Sequence, residues 1–227
     1  MRKSGIPMEL KFDHLHYIAI EGVIGAGKTS LAHPLQQQLT GRLVVEEFEE
    51  NPFLEDFYRD PEHYAFQTQI FFLLSRYRQQ EQITQYDLFE KRIISDYMFV
   101  KDRIFATLNL NEKEMALYNI LARILEKQIV KPDLAIYLKA STKKLMQNIR
   151  KRNRPYERQI KEEYIDALNN LYEEFFWNYS ATPLLIINTE NLDFVNNQNH
   201  FSQILVEISK HRSGKKLVSF DLNKGLI

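Results

Sequence analysis

The run Gly22-Val23-Ile24-Gly25-Ala26-Gly27-Lys28-Thr29 constrains this chain more than any other feature, because it fits G-x-x-x-x-G-K-[ST] at every fixed position. Its setting matters as much as its letters. The apolar run Tyr17-Ile18-Ala19-Ile20 stands directly before it, and a helical stretch from Lys28 to about Leu39 follows. Glycines in such a turn let successive backbone N–H groups curl around phosphate oxygens, and the helix N-terminus adds its partial positive charge. In that geometry Lys28 reaches the β- and γ-phosphates and the Thr29 hydroxyl ligates Mg²⁺. The chain therefore reads as a binder of a nucleoside triphosphate, with Gly22, Val23, Ile24, Gly25, Ala26, Gly27, Lys28, Thr29 and Ser30 forming the donor-phosphate site.

A strand, a phosphate loop and a helix begin a repeating pattern. Leu43-Val44-Val45, Arg92 to Asp96, Leu134 to Leu138 and Pro183 to Asn188 read as four further strands. Helical periods fill Pro61 to about Gln85, Glu112 to Gln128, Glu162 to Tyr179 and Asn199 to Lys210, and Ser141 or Thr142 caps another helix. On the first of these, Phe66, Ile70, Leu73 and Leu74 share the expected apolar face. Strands separated by helices imply right-handed crossovers, hence an α/β fold with a five-stranded parallel sheet and helices on both faces. The expected division is an N-terminal extension over 1–15, one domain over 16–212 and a loosely held tail over 213–227.

Composition narrows the chemistry. The 227 residues contain no cysteine, which excludes a disulfide scaffold and any cysteine-ligated metal. Thirty basic side chains balance thirty acidic ones, so nothing favours a nucleic acid as partner. No segment approaches the ~20 apolar residues of a membrane span, and no apolar run near Met1 resembles a signal peptide. The plain reading is a soluble, cytoplasmic protein acting on a small molecule.

Two local charge clusters stand out within that neutral balance. Glu46, Glu47, Glu49 and Glu50 follow the second strand, at the edge of the sheet where the phosphate loop lies. One of them could accept a proton from an attacking hydroxyl, although an acidic run is as often a solvated loop. Asp96 ends the third strand, placed to hold the Mg²⁺ shell with Thr29 or merely to cap a surface turn. Arg150-Lys151-Arg152-Asn153-Arg154-Pro155-Tyr156-Glu157-Arg158 is dense enough in cations to form a lid, about 150–160, over a transferring phosphoryl group. Cations suited to a helix C-terminus account for one or two of them.

At this point the residues resemble a family, the deoxynucleoside kinases, most closely the bacterial deoxyguanosine/deoxyadenosine kinase branch. The resemblance runs from about Tyr17 to the last helix. It is carried by Ile20-Glu21 with the phosphate loop, Glu46, Glu49-Glu50-Asn51-Pro52, Phe57-Tyr58-Arg59-Asp60-Pro61, Tyr64 to Gln69, Ser95-Asp96-Tyr97, Lys139-Ala140-Ser141 and Arg152-Asn153-Arg154-Pro155. It implies a phosphate-loop kinase with an arginine-rich lid that uses ATP and Mg²⁺ to phosphorylate the 5′-hydroxyl of a deoxynucleoside, a purine by preference, in nucleotide salvage.

The resemblance also implies roles. Glu46 and Asp96 both match candidate proton acceptors, and Lys28 and Arg152 complete the catalytic set. Gln69 matches the reader of the base edge, with Arg76 and Asp102 bordering the base pocket. Tyr58 and Glu157 match the grip on the 3′-hydroxyl. Arg152 and Arg154 match arginines on the donor phosphates, and the loop from Asn188 to Phe194 is expected around the donor adenine. A homodimer is implied, for which the Glu112–Gln128 helix has enough apolar positions.

One position departs from the pattern. Most of the family has arginine after the acid of the third-strand motif, where this chain has Tyr97. Tyr97 is expected at the substrate, with Lys101 or Arg103 replacing the missing cation near the 5′ oxygen, since a phenol cannot stabilise phosphoryl charge as a guanidinium does. Two other readings remain: a thymidylate-type nucleoside monophosphate kinase, and a non-catalytic nucleotide-binding subunit.

Overall fold

The computed structural model describes residues 10–86 and 92–220. Its centre is β1 (Tyr17–Glu21), buried at all five positions because a parallel strand is covered on both faces. β2 (Arg42–Val44) and β3 (Ile93–Ser95) lie on one side, while β4 (Leu134–Lys139) and β5 (Leu184–Asn188) lie on the other. The order is β2-β3-β1-β4-β5-β6, parallel throughout. After β1 the chain builds to one side, then crosses β1 to build on the other, so a crevice opens at the carboxyl ends of the central strands.

The sheet has six strands where five were expected. β6 (Lys215–Val218) pairs with β5 from Leu184↔Lys215 to Ile187↔Val218, so this part of the expected tail is an edge of the sheet. Its first three residues are exposed and two are lysines, and Gly214 at φ +68 turns the chain into it. Lysines on an edge discourage pairing with other chains, and they also erase the apolar run by which strands are read. Residues 221–227 of the expected tail lie outside the described residues. Of the expected N-terminal extension, Phe12 and Leu15 pack into the core.

Helix α1 (Lys28–Leu39) matches its expected bounds. Two helices were not expected, α2 (Leu54–Arg59) and α4 (Lys101–Asn109). The first has six residues, too few for a period, and the second buries Lys101 and Asp102 along with Ile104 and Ala106, so its inner face does not read as apolar. Helix α3 (Pro61–Tyr86) is where expected, but its buried stripe differs: Ala65, Thr68, Gln69, Leu73, Arg76, Gln80 and Ile83 face inward, while Leu74 is exposed.

Helix α5 (Glu112–Leu125) starts with a reciprocal capping box between Asn111 and Glu114 and ends in a 3₁₀ turn, Glu126–Gln128. Ser141 is the N-cap of α6 (Thr142–Arg152), its hydroxyl accepting from the Lys144 backbone N–H at 3.2 Å. The chain then forms the 3₁₀ turn Pro155–Gln159, α7 (Glu162–Asn178) and α8 (Gln198–Lys210). Leu31 and Leu35 of α1, Leu145 and Ile149 of α6, Leu168, Tyr172 and Phe176 of α7, and Ile204 and Ile208 of α8 cover the sheet. Burial of each such side chain favours folding by ~1.5–3 kcal/mol. No helix among the described residues is long and apolar enough to cross a membrane.

Candidate active site

The phosphate loop is shaped by two glycines at positive φ, Gly25 (+86) and Gly27 (+92). A Cβ at Gly25 would lie 2.6 Å from the Leu145 carbonyl oxygen, so both space and backbone angle demand glycine. Asn148 of α6 braces the loop by donating to the Gly25 carbonyl at 2.8 Å. No side chain caps the N-terminus of α1, so its first N–H groups are left to an anion. Lys28 folds back over the loop, its ammonium donating to the carbonyls of Gly22 (2.7 Å) and Val23 (3.2 Å). Burial, reinforced by the Lys101 charge, pulls its pKa down to about 8 against the pull of Glu21, Glu46 and Asp96.

Asp96, at the end of β3, joins this loop to the loop after β2. One carboxylate oxygen accepts from the Thr29 hydroxyl and the other from the Glu46 backbone N–H at 2.8 Å. A hydroxyl and a carboxylate side by side are hard oxygen donors, suited to a Mg²⁺ ion that keeps its remaining positions for phosphate and water. The residues present therefore fit that ion.

Glu46 sits at the centre of a buried ionic network. Lys101 Nζ bonds one of its oxygens, while Arg76 bonds the other through Nε (3.2 Å) and Nη2. Arg76 Nη1 pairs with Asp102, whose second oxygen accepts from the Tyr118 hydroxyl at 3.0 Å. Burial works to raise the Glu46 pKa, but Lys101 and Arg76 overcome it and hold the carboxyl well below the usual range. At Asp102 burial prevails over Arg76 and the Tyr118 hydrogen bond, pushing the pKa up to about 6. Phe72 and Phe105 lie under the two cations, with the Arg76 guanidinium 4.7 Å and the Lys101 ammonium 5.4 Å from the ring centres.

The lid rests on the same cleft. Arg152, the last residue of α6, donates through Nε to Glu157 at 3.0 Å and forms a second bond through Nη2. Arg154 lies 3.7 Å from the same carboxylate and 4.4 Å above the Phe48 ring. Tyr156 stacks near-parallel to Tyr58 at 6.4 Å. Arg150 instead points to solvent, so the cationic run is only partly a lid.

These groups surround a narrow cleft of about 90 Å³, walled by Lys28, Thr29, Glu46, Tyr58, Gln69, Arg76, Asp96, Lys101, Arg152, Arg154 and Glu157. Gln69 is 1% exposed, and its carbonyl oxygen has no partner among the described residues. A second, open cavity of about 520 Å³ lies across the phosphate loop, bounded by Ser30, Lys151, Arg152 and the loop from Thr189 to Asn196. Arg152 borders both.

Most of the expected site residues thus meet at one place, with three corrections. Tyr97 is fully buried below the cleft and does not reach its wall. Asp102 is likewise at 0% exposure and touches the cleft only through Arg76. Arg103 is exposed and donates to Asn119 at 3.3 Å, so of the two proposed replacement cations only Lys101 enters. Sequence reasoning missed Phe48, Leu54, Phe57, Phe72, Phe105, Tyr156 and Tyr118. Phe72 was legible, since it stands at i+3 from Gln69 and i−4 from Arg76 on the same helical face.

A family model described as deoxynucleoside kinase matches residues 18–212. Deoxyguanosine kinase of Bacillus subtilis (strain 168) is 35% identical over 199 residues, covering 86% of this chain and 96% of its own. Deoxyadenosine kinase of Dictyostelium discoideum is 37% identical over 194 residues, covering 82% of this chain and 78% of its own. The solved structure of deoxyadenosine kinase from M. mycoides with bound dATP superposes with a TM-score of 0.75 at 30% identity, covering 86% of this chain and all of that one.

Proposed function

The chain belongs to the deoxynucleoside kinase family, and from that premise we propose that it transfers the γ-phosphate of ATP to the 5′-hydroxyl of a purine deoxynucleoside, in nucleotide salvage in the cytoplasm. The observation that carries the acceptor assignment is the lining opposite the phosphate loop. The unpartnered Gln69 carbonyl stands on a wall with the Glu46 and Glu157 carboxylates, and both of these already hold cations. Such a wall suits a neutral nucleoside, whereas a monophosphate acceptor needs free cations. The purine preference is supported by three relatives named deoxyguanosine or deoxyadenosine kinase, while a fourth is named deoxyadenosine/deoxycytidine kinase.

Each side chain has a part in this reading. The phosphate loop with Lys28 holds the donor phosphates, and Thr29 and Asp96 hold Mg²⁺, which screens charge on the phosphates. With Asp96 so engaged, Glu46 is the acceptor for the 5′-hydroxyl proton. Its depressed pKa makes it a weak base, which the reaction tolerates: a loose phosphoryl transition state needs the hydroxyl aligned more than ionised. Lys101 and Arg76 fix the direction of that carboxylate, Arg152 and Arg154 stabilise charge on the transferring group, and Tyr58 with Glu157 holds the 3′-hydroxyl. The open cavity beside Thr189 to Asn196 receives the donor base.

The working unit is a homodimer. Leu117, Ile120, Leu121 and Ile124 form an exposed i, i+3, i+4, i+7 stripe on α5, and a second copy offers the matching stripe.

A steady-state panel of the four deoxynucleosides with ATP and Mg²⁺ tests the proposal. The expected result is the highest kcat/KM with deoxyguanosine or deoxyadenosine. Phosphate transfer to deoxynucleoside monophosphates alone would refute it.

A further inference from the structure

We infer that Tyr118 is a positioning residue for the acceptor cleft, acting through Asp102 on the orientation of Arg76 in its wall. Tyr118 is 1% exposed on the inner face of α5, and its hydroxyl donates to Asp102 at 3.0 Å, the only charged group it bonds among the described residues. The Asp102 carboxylate is thereby divided, one oxygen to Tyr118 and the other to Arg76 Nη1. Arg76 is divided in turn, its remaining nitrogens going to Glu46. Tyr118 thus terminates a chain of bonds whose other end is the Glu46 carboxylate, and it fixes the rotation of the carboxylate on which the Arg76 guanidinium rests.

The hydrogen bond also governs the charge of that carboxylate. Asp102 faces Arg76 from α3, Glu46 from the loop after β2, Tyr118 from α5 and its neighbour Lys101 on α4. Burial already lifts its pKa to about 6, and the Tyr118 hydrogen bond is among the forces opposing that lift. Without the phenol hydroxyl the carboxyl takes up a proton at higher pH, and Arg76 loses its buried counter-ion there. The guanidinium is then free to move wholly onto Glu46, which changes the wall it presents to the cleft.

The inference rests on the kinase reading above, and its test separates the two. Wild type, Tyr118→Phe, Asp102→Asn and the double variant are assayed on the best substrate of the panel, with pH profiles for wild type and Tyr118→Phe. Wild type inactive on every deoxynucleoside would sink the kinase reading itself. With wild type active, Tyr118→Phe is expected to raise the nucleoside KM about tenfold, as for loss of one hydrogen bond to a charged group. The KM for ATP stays constant, and the acid limb of kcat/KM moves to higher pH. In the Asp102→Asn background the same change is expected to add less than twofold. Additive losses in the cycle, or an acid limb that stays in place in Tyr118→Phe, would overturn it.

Discussion

Replacing Glu46 by Gln removes one charge and one proton acceptor while keeping the shape of the side chain. In the protein each Glu46 oxygen is committed, one to Lys101 and the other to Arg76. The amide can still accept from Arg76, but its NH₂ then faces the Lys101 ammonium, donor against donor. Loss of a positioned proton acceptor lowers turnover by about 10²–10⁴-fold, or ~3–5 kcal/mol in the barrier. Glu46 makes no hydrogen bond to the phosphate loop itself, so the KM for ATP is expected to stay within about twofold of wild type. Stability supplies a second readout. A carboxylate whose folded pKa is held below its unfolded value contributes stability above the unfolded pKa of about 4.3, and loses that contribution as pH falls through the folded pKa. The variant should therefore melt below wild type near neutral pH, and the gap should narrow in acid. Steady-state kinetics with saturating deoxynucleoside and thermal melts at several pH values measure both effects. A kcat within threefold of wild type would remove Glu46 as the proton acceptor, and a gap that widened in acid would contradict the ionic network.

Three other outcomes follow from the same structure. Gly25→Ala places a methyl 2.6 Å from the Leu145 carbonyl at a φ of +86, costing roughly 1–2 kcal/mol of backbone strain. Calorimetry should show ATP binding weakened at least tenfold, and unchanged affinity would mean the loop does not hold the phosphates. Lys28, brought to about 8 by burial and Lys101, is partly neutral in the free enzyme near its pKa, and donor phosphates raise it again. ATP binding above about pH 8 should then take up protons, seen as a binding enthalpy that changes with the ionisation heat of the buffer; no buffer dependence would refute this. Ile120→Glu sets two carboxylates into the proposed helix pairing, so sedimentation should show a monomer where wild type is a dimer, with the fold retained by circular dichroism.

How much of this was legible depended on what each segment buries. β1, β4 and β5 bury both faces and read as unbroken apolar runs, and the phosphate loop reads through glycines that sterics require. Helix α3 was found by its period, and Leu73 and Ile70 of its expected face do pack inward, but the positions it turns to the cleft are Thr68, Gln69, Phe72 and Arg76 rather than leucines. Helix α4 escaped notice for the same reason, since Lys101 and Asp102 occupy buried positions that an apolar scan discounts. Side chains that wall a polar cleft are core residues without a core's composition. Tyr118 was illegible in a different way: nothing in the order of residues says that a tyrosine of α5 meets an aspartate of α4. The aromatic covers Phe48 and Tyr156 come from two loops that only folding brings together.

Tyr97 and Lys101 together show how charge is supplied to the site. Where the resemblance leads one to expect an arginine after the acid of the third strand, this chain holds a neutral phenol, fully buried, whose pKa burial pushes up. A cation does reach Glu46 from the first turn of α4, where Lys101 pairs with it, four residues further along the chain. The two cations are not equivalent, because an ammonium is a point charge and cannot fix the plane of a carboxylate as a guanidinium fork does. That orientation is set by the two cations together, Lys101 on one Glu46 oxygen and Arg76, itself held by Asp102, on the other through two nitrogens. With a lysine on one Glu46 oxygen, the Arg76–Asp102 pair shares the geometric control of that carboxylate, so the residue behind the pair, Tyr118, takes part in the alignment.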